Sequence, residues 1–188
     1  MTAKLDASAI IYLSKADLLT LAAQVCGELV ITTGVYQETV VRGQEAGYSD
    51  AGRIAKAVQD RRVRVVSLTE ASRKRLEEAG FPPSLGMGEQ ETIIEALEQE
   101  CLAVLDDGRA RAAAVVLDTT LCRTETLLVE ALVRNLIGLA EFEETLLRLA
   151  RVRGMRPDDL AELLRLGRLI GEVLADERAD TQSEESES

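Results

Sequence analysis

The sequence predicts an α/β fold: a parallel sheet of four to five strands flanked by helices, with a helical C-terminal extension. Three observations lead there. Short β-branched runs alternate with longer helical stretches, which implies parallel strands joined by crossovers. Capping residues, Gly and Pro punctuate the joins. From Leu121 to Leu174 the pattern becomes wholly helical, with no linker-like composition before it.

Lys4 and Leu5 form a short first strand ending near Asp6, and a helix follows from about Ser8. Asp17 reads as the N-cap of a helix through LLTLAAQVC, closed by Gly27. The run Glu28–Thr32 (ELVIT) is a second strand. Thr33 caps a helix that carries Val35, Glu38, Val40 and Val41 and stops at Gly43. Asp50 to Asp60 reads as helix, and Val63, Val65 and Val66 mark a third strand. Thr69 caps a helix ending at Gly80, and FPPSLGMG is the clearest loop in the chain. A helix opens at Glu89, Leu102–Leu105 is a fourth strand, and Asp106–Asp107–Gly108 is its terminating turn. Arg109 to Ala114 is helical, and Val115–Asp118 (VVLD) is a candidate fifth strand. The last third breaks near Gly138, Gly154 and Pro157, and the acidic segment 176–188 reads as a disordered tail.

Composition narrows the chemistry. At 188 residues the chain suits one domain with a proper core. It has no His, which removes every Ser-His-Asp and Cys-His scheme. Its three cysteines form no CxxC pair, so buried thiols in a reducing cytoplasm are expected rather than zinc or disulfides. Aromatic residues make up 3% and there is no Trp, which argues against an extended base-stacking platform. The start is a poor signal peptide, and no run approaches the roughly 20 apolar residues of a membrane span. A net charge of −11 works against phosphate binding unless metal ions invert the local field.

Ligands of parallel sheets bind beyond the C-terminal strand ends. Asp6 ends the first strand and Asp106–Asp107 end the fourth, so these acids share one sheet edge. Glu38 and Glu89 lie on neighbouring helices. Carboxylates gathered without Lys partners repel one another, and the usual relief is a hard cation such as Mg²⁺ or Mn²⁺. Each acid also has an ordinary explanation. Asp6 could be an N-cap, Glu38 a solvated helical residue, Glu89 a helix-dipole partner and Asp107 a turn residue. Ser8 is better explained as a helix cap than as a ligand-water partner. Glu89 and Glu91 sit about 200° apart on a helix, so one ion cannot take both.

LDASAIIYL, VYQETV, LGMGEQETI and AVLDDGRARAAA, in this order, resemble the PIN-domain nucleases, in particular the branch that holds toxins of the VapC type. The resemblance runs from residue 4 to about 114, and more weakly to about 172. It implies a PIN-like catalytic domain over residues 1–120, with 121–175 a helical extension packed on the same domain. It also implies a metal-dependent endoribonuclease with catalytic Asp6, Glu38, Glu89 and Asp107. Mg²⁺ or Mn²⁺ would be held by Asp6, Glu89 and Asp107, with Ser8, Glu91 and Asp106 as accessory positions. Arg109 and Arg111 are the nearest phosphate contacts. The implied partners are an RNA substrate, a small antitoxin protein and a second copy in a homodimer, with no membrane. A catalytically inactive interaction module of the same fold is the alternative.

Overall fold

The structure is a computed structural model that describes residues 2–186, with side chains through residue 176. The chain divides into two compact units, Met1–Thr124 and Glu125–Ser188. The first holds a five-stranded parallel sheet in the order β3-β2-β1-β4-β5. Its strands are β1 (Thr2–Leu5), β2 (Glu28–Thr32), β3 (Arg64–Val66), β4 (Leu102–Val104) and β5 (Leu121–Cys122).

β1 is central. Lys4 registers with Val30 of β2 on one side and with Ala103 of β4 on the other. Such a strand is covered on both faces, and Ala3, Lys4 and Leu5 are all buried. The chain builds outward from β1 to β3, then returns to lay β4 on the opposite side of β1. The switch point therefore falls between the ends of β1 and β4, where open α/β sheets bind their ligands.

Helix α1 (Ala7–Lys15) leaves β1 directly, and α2 (Leu19–Cys26) leads to β2. Asp17 does not cap α2. It takes a left-handed turn at φ 58°, and Leu18 precedes the helix without a side-chain cap. Thr32, one residue earlier than expected, caps α3 (Thr33–Tyr36) through its hydroxyl to the Val35 N–H. The chain then widens into a π-helical segment, Gln37–Val41, before α4 (Arg42–Glu45) and α5 (Ser49–Gln59). Thr69 caps α6 (Glu70–Glu78) through Ser72 N–H at 3.1 Å, as expected.

Helix α7 (Met87–Glu98) feeds β4, and α8 (Gly108–Val116) follows it. The candidate strand Val115–Asp118 is a misreading: Val115 and Val116 are the last turn of α8, and β5 lies further on. The alanine-rich start RARAAA propagates helix through the two valines, whose β preference is weak against it. Leu85, Ile93, Ala103, Leu105, Ala110 and Ala114 pack the α7 and α8 side of the core.

The second unit contains most of α9 (Thr124–Val133), then α10 (Leu139–Arg153) and α11 (Pro157–Ser186). Gly154 ends α10 in the left-handed conformation at φ 65°. A Cβ at Gly167 would stand 2.2 Å from the ring of the fully buried Phe142, so glycine permits α11 to cross α10 there. Of the segment 176–188, expected to be a disordered acidic tail, the backbone through Ser186 belongs to α11, while residues 187–188 and the side chains beyond 176 lie outside the described residues. No helix among the described residues is long and apolar enough to cross a membrane.

Candidate active site

Asp6 is the first residue past β1, and its N–H still reaches the Val104 carbonyl of β4 at 3.2 Å. It is completely out of water. Its Oδ1 caps α1 by accepting the Ala9 N–H at 2.7 Å, so the N-cap explanation of this residue holds, and Ser8 is not the cap. The cap uses one oxygen. The other, Oδ2, is buried with no hydrogen-bond partner. Burial pushes this carboxyl from 3.8 up to about 7; Asp106 and Glu89 add repulsion, while the Ala9 and Asp106 amides oppose the rise.

The two acids after β4 are held differently. The Asp106 carboxylate accepts both the N–H (3.2 Å) and the hydroxyl of the fully buried Thr124. Arg111 grips the Asp106 carbonyl at 2.7 Å. Asp107 caps α8, with Oδ1 accepting the N–H groups of Arg109 (2.8 Å) and Ala110 (3.1 Å). Burial alone would raise the Asp107 carboxyl, but those two amides and the Arg109 guanidinium hold it below its ordinary value.

Glu89 opens α7 and folds back to accept the Gly86 N–H at 2.8 Å. Its carboxyl is pushed up by burial and by the charges of Asp107 and Glu38, against the pull of Gly86 and Arg109. Glu91 turns elsewhere, accepting the Gly34 N–H at 2.8 Å and tying α7 to α3. A Cβ at Gly34 would run into that carboxylate at 2.5 Å, which explains the glycine. Glu38 is exposed on the π-helical segment, and its Oε2 would lie 3.3 Å from a Cβ at Gly88. Gly88 thus lets α7 approach the widened helix closely, and π-helical turns are frequent at functional sites.

The fold brings Asp6, Glu89, Asp106, Asp107 and Glu38 into electrostatic contact at one sheet edge, and turns Glu91 away. Among the described residues no three Asp, Glu or Cys side chains stand close enough to form a finished metal cage. Ser8 lies in the first turn of α1, half-buried. The positions not anticipated are Thr124, Gly34, Gly88 and the π-helical turn, and of these only the LGMG glycines carried any local signal.

A family model described as a PIN domain matches residues 4–166. The chain belongs to the PIN-domain family. No curated protein matches the chain. The five-stranded parallel sheet, with its acids at the switch point, is the form this PIN domain takes. PIN domains are generally nucleases that use divalent metal, and the acids at the switch point suit that use: every side chain there with lone pairs to offer a cation is an oxygen donor.

Proposed function

We propose that this PIN domain is a metal-dependent endoribonuclease of the VapC-toxin kind, working in the cytoplasm and restrained by a small antitoxin. The observation that carries this reading is the Asp6 Oδ2 atom, a buried, unpartnered carboxylate oxygen facing further acids. A buried acid is normally paired or neutralised. A cation fits this one, because it would satisfy the orphaned oxygen and offset the repulsion at the same time.

In this reading Asp6, Glu89 and Asp107 hold Mg²⁺ or Mn²⁺, and Glu38 completes the catalytic set. When bound, such an ion acidifies a water and stabilises charge developing at phosphorus. The protein's own groups supply position. Thr124 fixes the Asp106 carboxylate beside Asp6, and Arg111 fixes its backbone. Arg109, 3.6 Å from Asp107, offers the positive charge that an incoming phosphodiester needs against so many acids.

One observation favours the inactive interaction module. Glu89, Asp106 and Asp107 already accept hydrogen bonds from their own chain, and ligation must use their remaining lone pairs. Cleavage of a mixed structured RNA by purified protein separates the two readings. Cutting with Mg²⁺ or Mn²⁺, stopped by EDTA and absent in Asp107→Asn, is the expected result. Intact RNA in every lane, from folded and partner-free protein, would count against the nuclease and favour the interaction module.

A further inference from the structure

Beside the acids, an apolar cleft of about 390 Å³ opens between the end of α6, the Pro-rich loop and α8. Phe81, Pro82, Ala113, Val116 and Leu117 line it together with Arg109. Arg109 is also the cation that touches Asp107 and acts on Glu89, so cleft and acid group share one residue. We propose that this cleft receives a single nucleobase of the RNA strand, next to the phosphodiester that is cut. The proposal rests on the nuclease reading and names where sequence preference arises.

Size, chemistry and position support this occupant. The volume falls at the small end of ligand pockets, roughly 300–1,000 Å³. A stable protein partner would need about 800 Å² of its own surface covered, far more than this cleft can bury. The lining is mostly apolar and includes an aromatic side chain, Phe81, which suits a base rather than a charged or strongly hydrated ligand. The Arg109 guanidinium in that lining then meets the phosphate of the same nucleotide, so one nucleotide bridges cleft and acids. The low aromatic content excludes a stacking platform, but one base needs only one ring. Val116, at 84% exposure, keeps a large apolar surface that none of the described residues covers.

The test compares neighbours on α8. Val116→Glu places a charge in the cleft, while Val115→Glu adds the same charge one residue away, at an exposed position outside the lining. Phe81→Leu keeps the apolar bulk and removes the aromatic face; a thermal melt confirms that it folds. A randomised RNA pool, cut with Mn²⁺ and sequenced, reports the bases flanking each cut. Anisotropy of a short fluorescent single-stranded RNA in EDTA reports binding without cleavage. Val116→Glu and Phe81→Leu should flatten the preference at one flanking position and weaken binding about tenfold, with Val115→Glu unchanged. Equal behaviour of the two Glu variants, or an unaltered flank preference, would overturn the proposal. A wild-type protein that cuts no RNA would defeat the nuclease reading, and the binding data would then decide the cleft alone.

Discussion

Lys4 and Asp6 sit two positions apart on the same chain segment, both out of water, and the fold treats them in opposite ways. Lys4 Nζ meets Glu95 Oε2 of α7 at 3.2 Å, and the other Glu95 oxygen accepts the Ser72 hydroxyl at 2.7 Å. That charge is paired, and its partner is hydrogen-bonded in turn. Asp6 has one oxygen engaged by the cap and the other without a hydrogen-bond partner; the charged groups acting on it are acids rather than cations, eased by the Ala9 and Asp106 amides. A chain able to neutralise one buried charge so fully has left the second open at the switch point of its sheet. Such an imbalance is what a site that takes a cation requires, and what a purely structural carboxylate would avoid.

The largest effect should come from breaking the closed side of this comparison. Glu95→Ala strands a buried ammonium and should destabilise the protein by about 3–5 kcal/mol in urea melts, with little change in cleavage per folded molecule. Lys4→Met with Glu95→Leu should recover most of that loss. If Glu95→Ala proved neutral, the pairing would not be what holds Lys4 inside.

Asp6→Asn tests the open side, and should lower metal-dependent RNA cleavage about 100-fold or more. Its effect on stability should have the opposite sign. The Asp6 carboxyl titrates near 7 in the fold and at 3.8 in its ordinary state, so between those values the folded chain binds more protons than the unfolded one. Wild-type stability should therefore fall as pH rises from about 4 to 7, by a few kcal/mol at most. Asn keeps the cap and carries no charge, so the variant should lose this slope. Melting temperatures of both proteins across that range check it, and equal slopes would contradict it.

Smaller effects sharpen the boundary of the site. Thr124→Val removes the hydroxyl bond to the Asp106 carboxylate and leaves the backbone one, and should cost about tenfold in cleavage, with Thr124→Ser restoring most of it. Glu91→Gln should cost about 1 kcal/mol or less through the weakened bond to Gly34, and leave cleavage intact. Loss of cleavage in Glu91→Gln would exchange the roles assigned to Glu89 and Glu91.

Much of this was legible in the chain itself. The alternation of strands and helices gives the parallel sheet, and the rule that ligands meet parallel sheets at their C-terminal ends gathers Asp6 with Asp106 and Asp107. Helix geometry separates Glu89 from Glu91, and the structure turns only Glu89 toward the other acids. The strand order that makes β1 and β4 neighbours depends on contacts between residues about 100 positions apart, which no local pattern encodes. VVLD misleads because β-branched valines also end helices, and β5 is only two residues long, too short to register as a pattern. The π-helical turn under Glu38 has no signature in the local sequence. Thr124 is invisible for the same reason: its value lies in meeting Asp106 across 18 positions.

The most direct test of the contrast is a thermal melt at pH 8 with and without Mn²⁺, on wild type, Asp6→Asn and the Lys4→Met, Glu95→Leu double variant. Mn²⁺ should raise the melting temperature of wild type and of the double variant, and leave Asp6→Asn where it was. An equal rise in all three, or none in wild type, would contradict the claim that Asp6 is kept unpaired for a cation.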